Sequence, residues 1–268
     1  MKSTKLAIPY IIWIFIFTIV PVFLLINYAF STNTGSFTID NFSRFFSPLY
    51  IGILMRSFYM AFWSTIICFI IAYPVAYILS TKEFKNRNVL ILLFIVPMWM
   101  NFLVRTYAWL FILGNNGVLN IFLGFLGFPQ IRLLFTDAAV LIGLVYTFLP
   151  FMIFPIYSSL SKIDYKIVEG AQDLGANSFY VMLKIIFPLS LPGIASGLTM
   201  VFMPAVATFL VSNILGGGGY MLIGNLIEQQ FMIVGNRHFG SAISLILLAL
   251  ILVFNMLIST LIREEETN

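Results

Sequence analysis

The chain has 268 residues, of which 61% are hydrophobic and 9% charged, and it carries a formal net charge of +4. Soluble domains are near half apolar and about one quarter charged, so this chain has too few charged side chains to coat a water-facing exterior, and an integral membrane protein is expected. One cysteine, Cys68, and one histidine, His238, exclude a disulfide framework and a Cys/His metal cluster. No metal site is expected. The basic residues lie in short segments between apolar runs, which predicts spans oriented in a bilayer and not a nucleic-acid partner.

A helix crossing roughly 30 Å of hydrocarbon needs about 20 mainly apolar residues. Segments 6–30, 58–80, 89–113, 138–160, 186–215 and 240–262 satisfy this. The expected fold is all-α, a polytopic bundle of six transmembrane helices forming one membrane domain over 1–268. A β-barrel is excluded because its strands alternate apolar and polar residues, whereas these runs are apolar on every side. The first run follows Lys2 and Lys5 and is about 25 residues long. A cleavable signal has an apolar region of roughly 7–15, so this run reads as a retained span. Cys68 sits in the second run as a small packing residue, and Arg105, near the outer end of the third, is expected to snorkel toward headgroups. Pro74, Pro97, Pro150, Pro155, Pro188, Pro192 and Pro204 mark kinks or helix ends. His238 reads as an interfacial residue before the sixth run.

No Asp or Glu occurs within any of the six runs, which argues against a secondary transporter holding a coupling ion on intramembrane acids. No nucleophile with a base, and no carboxylate pair, falls within the bundle, so no catalytic residue is expected. With the N-terminus inside, Lys2, Lys5, Lys82, Lys85, Arg87, Lys162, Lys166, Lys184 and Arg263 share one side, against Arg44, Arg56, Arg132 and Arg237 on the other. Positive charge is retained on the cytoplasmic side, so both termini are predicted to be cytoplasmic.

The loop between the fourth and fifth runs, 161–184, has helical periodicity and too many charges for the bilayer. Ile163, Ile167, Ala171 and Leu174 fall on one face, and Lys162, Lys166, Glu169 and Asp173 on another. Asp164 suits an N-cap, Gly175 a left-handed residue closing the helix, and Asn177 the cap of a following helix. Glu169-Gly170-Ala171, then Gly175 six positions after the Glu, then Ile185 and Phe187-Pro188, resembles the EAA motif of type I ABC importer permeases. Gly170 and Phe187 stand where that motif usually has Ala and Leu. The resemblance implies that Glu169, Gly170, Ala171, Asp173 and Gly175 belong to a coupling helix that docks on a cytoplasmic ATPase. The chain has no P-loop of its own: Gly216 to Gly219 is followed by Tyr220 and Met221 rather than by Lys and Ser or Thr. It is therefore expected to bind no cofactor and to hydrolyse no ATP, with ATP and Mg used by a separate ATPase subunit.

Arg105-Thr-Tyr-Ala-Trp109, Asn115-Asn-Gly117, the stretch 140–155, Pro188-Leu-Ser-Leu-Pro-Gly193, and Leu215-Gly-Gly-Gly with Met221-Leu-Ile-Gly-Asn-Leu-Ile227 are similar to the permease subunits of spermidine/putrescine importers. That resemblance, covering about 55–260, implies a second homologous permease, two ATPase subunits, an external polyamine-binding protein and a place in a prokaryotic plasma (inner) membrane. A polyamine entering the bundle needs acidic or aromatic partners. The candidates are the rings of Tyr107, Trp109 and Phe209, the hydroxyl of Thr208, the side-chain carbonyl of Asn213, and Glu228, the only carboxylate between the fifth and sixth runs. The competing readings are an ABC permease for another small solute, such as an organic amine, amino-acid derivative or metal complex, and, more remotely, an ion-coupled transporter.

Overall fold

The computed structural model describes residues 3–81 and 87–267. Lys2, Lys82 and Lys85, three of the basic residues behind the expected orientation, lie outside them. The first apolar run forms α1 (Ser3–Ile14), a π-helical turn at Phe15–Ile19 and α2 (Val20–Ala29), and its large side chains are exposed along Ile8 to Val20, as a lipid-facing span requires. A short loop and α3 (Asp40–Phe45) lead into α4 (Pro48–Ser80). This helix extends ten residues before the expected start at 58, and the added turns carry Arg56.

Two of the expected continuous spans are interrupted. The run 89–113 divides into α5 (Arg87–Trp99) and α6 (Phe102–Leu113). Pro97 has no N–H to donate, and the Asn101 side chain starts a new helix by accepting from the Leu103 and Val104 amides at 2.9 and 3.4 Å. The helical segment long and apolar enough to cross a membrane here is Phe102–Phe125, which includes α7 (Val118–Phe125). After α8 (Asp137–Leu160) and the loop helix α9 (Tyr165–Asp173), the chain runs through α10 (Ser178–Val181) and a π-turn at Met182–Ile186 into α11 (Phe187–Ala207). The expected span to 215 therefore stops at Ala207. Pro204 lies in the last turn of α11, and Thr208 is extended with φ −69° and ψ 141°. The chain then doubles back through α12 (Leu210–Leu215), a glycine loop, α13 (Ile223–Glu228) and a π-turn at Gln229–Ile233 before α14 (Arg237–Thr267). Among the described residues, six segments have the length and hydropathy of membrane spans.

The core is the triad α4, α8 and α11, with α14 packed on α2 and α11. In lipid, close helix contact needs small residues because burying apolar surface gains nothing over hydrocarbon. Ala61, Ser64, Cys68, Ala72 and Ala76 of α4 are fully buried, and the Cys68 thiol points at the Val145 carbonyl of α8 at 3.6 Å. Across the α8–α11 seam, a Cβ on Gly193 would meet Ser159 Cβ at 2.5 Å and the Pro155 carbonyl oxygen at 2.6 Å, and one on Gly197 would meet Met152 Sδ at 2.7 Å. Gly193→Ala is therefore expected to push α8 and α11 apart at a cost of roughly 1–3 kcal/mol. It should lower the thermal denaturation midpoint of the detergent-solubilised protein, while Gly52→Ala, with nothing within 4 Å, should leave it within error of the parent.

Candidate functional site

The amphipathic loop forms α9, and its ends close as the residue types demand. Asp164 caps it by accepting from the Lys166 amide at 3.1 Å. At the other end the Gly175 amide donates to Gln172 O at 2.9 Å and the Ala176 amide to Ala171 O at 3.1 Å, with Gly175 at φ +87°. This is the paired bonding of a left-handed C-terminal cap. Asn177 then caps α10 by accepting from the Tyr180 amide at 2.7 Å. Of the expected apolar face, Ile163 and Ala171 pack against the core while Ile167 and Leu174 do not. Val168 is the buried residue of α9, lining a cavity of about 210 Å³ with Tyr77, Leu160, Val181 and Ile186. Ile167 is exposed and Leu174 is 91% exposed, because the cavity at the ends of α4, α8 and α10 lies on the Val168 side. Glu169, Gly170 and Asp173 are also exposed, and no atom of the chain lies within 4 Å of a Cβ built on Gly170. The helix thus presents an acidic, small-residue surface with an apolar knob, all unoccupied by its own chain.

On the far side of the bundle, the break after Ala207 gathers four of the predicted pathway residues, Thr208, Phe209, Asn213 and Glu228, around a residue that the sequence reading missed, Asn225. This amide is buried, and its orientation follows from the Leu222 backbone amide. That N–H can only donate, and it reaches Asn225 Oδ1 at 2.9 Å, where Ser212 Oγ also sits at 2.7 Å. Asn225 Nδ2 must therefore donate, and it does so to Phe209 O at 3.1 Å and Asn213 Oδ1 at 2.6 Å. Asn213 in turn presents Nδ2 to Glu228 Oε2 at 2.8 Å. The side-chain carbonyl of Asn213, expected to receive an ammonium, is thus turned inward and occupied. Gly224 brings α13 against the break: a Cβ there would lie 2.3 Å from Ala207 O and 2.9 Å from Thr208 O. The Ile223 amide bonds Ser57 Oγ of α4 at 2.7 Å. One available signal was a lone polar residue, Asn225, in the apolar stretch Met221 to Ile227.

Residues 72–263 match the model of a family described as the binding-protein-dependent transport system inner membrane component. The chain belongs to this family. It is an all-α, multi-pass inner-membrane permease of the type I ABC importer class, and such permeases are not themselves catalytic. It is 40% identical over 264 residues to the spermidine/putrescine transport system permease protein PotB of Haemophilus influenzae, covering 94% of this chain and 92% of that one. It is 41% identical over 243 residues to PotB of Escherichia coli strain K12, covering 88% of each. The fold is shared with the crystal structure of a bacterial ABC transporter involved in the import of the acidic polysaccharide alginate, at a TM-score of 0.82 and 17% identity, over 98% of this chain and 95% of that one.

Elsewhere in the permease, Arg105 departs from its expected role. It is 9% exposed, does not snorkel, and donates from Nη1 to the Pro97 carbonyl at 3.0 Å, lying 5.6 Å from the ring centres of Phe102 and Tyr146. The interruption before α6 leaves α5 with terminal carbonyls to satisfy, and a cation suits the negative end of a helix. Trp109 packs edge-on against Tyr146 at 5.2 Å, and Tyr107 is exposed. No hydrogen bond or ring contact joins either to the Asn225 network among the described residues. His238 opens α14 with Nδ1 3.0 Å from Tyr28 O and 3.2 Å from Ser31 Oγ, tying the first and last spans. At the end of the bundle opposite α9, Arg56 pairs with Asp137 at 2.7 Å and lies 3.8 Å over the Tyr220 ring. Burial pushes the Tyr220 phenol up to about 12 against the opposing pull of Arg56, so it stays a neutral hydroxyl. Asn225→Leu removes both the acceptor for Leu222 N–H and the donor to Asn213. With each orphaned buried group costing about 1–3 kcal/mol, this variant is expected to lose several degrees in thermal midpoint, checked against Asn213→Ser at the exposed end of the network.

Proposed function

We propose that the permease imports spermidine and putrescine, delivered by an external binding protein and driven by ATP hydrolysis on two separate ATPase subunits that use Mg, with a second homologous permease completing the pathway. The observation that carries this reading is the near-full-length identity of about 40% to two curated spermidine/putrescine permeases. The geometry supports it at both ends. The EAA-like segment forms an exposed helix whose Glu169, Gly170, Ala171, Asp173 and Gly175 meet the requirements of a docking surface: charge, small residues and a fixed cap. The break after Ala207 puts Thr208, Phe209, Asn213 and Glu228 beside a re-entrant α13, where interrupted helices in transporters commonly hold cargo. Tyr107 and Trp109 belong to the same pathway as aromatic faces for a cation. The preponderance of basic residues on the α9 side supports cytoplasmic placement of that helix and of both termini.

In this reading the cycle is alternating access. Closure of the ATPase pair pushes α9, the motion passes through α10 into α11, and the pathway opens toward the binding protein. Hydrolysis resets it inward. A competing cargo keeps the same machine. Uptake of labelled spermidine into ATP-loaded vesicles carrying this chain, the second permease, the ATPase and the binding protein tests the reading. Uptake that needs ATP and the binding protein and survives a proton uncoupler is expected. ATP hydrolysis stimulated by the binding protein without amine uptake would replace the cargo, and uptake abolished by the uncoupler would replace the energy source. Glu169→Ala and Gly175→Val are expected to cut uptake about tenfold or more while the protein still inserts. The second forces a β-branched residue to φ +87°, at about 1–3 kcal/mol of strain. Membrane yield by immunoblot and uptake rate check both variants.

A further inference from the structure

The network at the break has a direction, and that direction ends on a carboxylate. Leu222 N–H fixes Asn225 Oδ1 as an acceptor, Asn225 Nδ2 then fixes Asn213 Oδ1 as an acceptor, and Asn213 Nδ2 is left to donate to Glu228 Oε2. Each amide has one orientation that satisfies its neighbours, so the assignment does not depend on a choice between look-alike atoms. The chain of donors runs from the buried Asn225 outward and delivers a hydrogen-bond donor to one oxygen of Glu228, which holds the carboxylate in place. The second oxygen, Oε1, makes no hydrogen bond or ion pair among the described residues. The ion pair seen on this side of the bundle, Arg56 with Asp137, is made elsewhere.

Three other oxygens at the break, Phe209 O and the side-chain oxygens of Asn213 and Asn225, are already engaged. Phe209 O receives the Asn213 amide at 2.9 Å, Ser212 Oγ at 2.9 Å and Asn225 Nδ2 at 3.1 Å. Asn213 Oδ1 receives Asn225, and Asn225 Oδ1 receives Leu222, with the single Ser212 hydroxyl proton shared between it and Phe209 O. A cation arriving at the outer side of the break therefore finds one prepared anionic acceptor. We propose that Glu228 anchors one ammonium group of the cargo through Oε1, and that Asn213 is a positioning residue that aims the carboxylate without touching the amine. A primary ammonium carries three donors and no acceptor, so it complements a carboxylate oxygen and is rejected by the outward-facing Nδ2 of Asn213. This inference rests on the cationic cargo proposed above and assigns the residue that recognises it.

The test uses the complete transporter reconstituted in vesicles. Spermidine uptake and ATP hydrolysis are measured together while the concentration of spermidine-loaded binding protein is varied. For Glu228→Gln, which removes the charge at nearly constant shape, the amine transported per ATP hydrolysed at saturating binding protein should fall about tenfold, the effect of losing one charge-assisted bond. The binding-protein concentration giving half-maximal hydrolysis should not move. Asn213→Leu should lower the same ratio about threefold, and the double variant should be no worse than Glu228→Gln alone, since both act on one carboxylate. An unchanged ratio in Glu228→Gln overturns the anchor, as does a shift confined to half-saturation, which would make Glu228 a contact for the binding protein. Additive losses overturn the positioning role of Asn213. Where Glu228→Gln fails to assemble with its partners on co-purification, Asn213→Leu decides, and an unchanged ratio there overturns the proposal. A parent complex that hydrolyses ATP but takes up no amine defeats the cargo reading and the anchor with it, whereas a parent that transports beside an unaffected Glu228→Gln defeats the anchor alone.

Discussion

Hydrocarbon offers no hydrogen-bond partners, so a helix that stops in or beside it must find them within the protein. The side chain of Asn225 supplies them at the end of the fifth span. It takes the Leu222 amide, shares Ser212, and donates to the carbonyl of Phe209 and the amide oxygen of Asn213. Without such a group α12 and α13 could not fold back against the break, and Gly224 could not bring its backbone up to the carbonyls of Ala207 and Thr208. Ser57 extends the arrangement to α4 through the Ile223 amide. A single buried amide therefore organises the break after α11, and a comparable device at the third span uses a cation instead, with Arg105 reaching the Pro97 carbonyl.

The two ends of the molecule are joined by one element. α11 begins beside α9, where Asn177 and the π-turn at Met182–Ile186 lead into it, and ends at Ala207 next to the Asn225 network. Its 21 residues span about 32 Å at 1.5 Å each. Gly193 and Gly197 hold it against α8 with the backbones nearly in contact, a seam that cannot slide without one side chain climbing over another. A seam packed in this way suits the transmission from α9 to the break that the proposed alternating cycle requires.

Where local chemistry decides a feature, the sequence shows it directly. Asp164, Gly175 and Asn177 take the capping roles that their side chains and spacing dictate, because a cap depends on residues two to five positions away. The interruptions at Asn101 and Thr208 are harder to read. Pro97 and Pro204 announce them, but unbroken apolar composition favours continuous spans, and the groups that make the breaks tolerable lie up to twenty residues further along. The apolar face of α9 is half legible for a related reason: periodicity puts Ile163, Ile167, Ala171 and Leu174 on one stripe, of which Ile163 and Ala171 pack against the core, yet the cavity beneath the helix receives Val168 and leaves Ile167 and Leu174 exposed. Asn213 shows the limit most plainly. Its residue type permits either a carbonyl or an amine to face the pathway, and the choice is made by a backbone amide at Leu222 that no pattern around Asn213 reveals.

At the end of the bundle opposite α9, Phe135 adopts φ 66° and lays its ring against Gly217, itself at φ 70°, where a Cβ would come within 2.5 Å of the ring. The Phe135 amide bonds Leu215 O at 3.0 Å, and Arg56 clasps Asp137 and Tyr220 beside it. The outer ends of α4 and α8 and the glycine loop are thereby riveted into a single plate. A passage for solute cannot be cut through the middle of such a plate without breaking a charged pair, a stacked ring and a strained backbone contact together. In the proposed cycle these elements would therefore move as one unit.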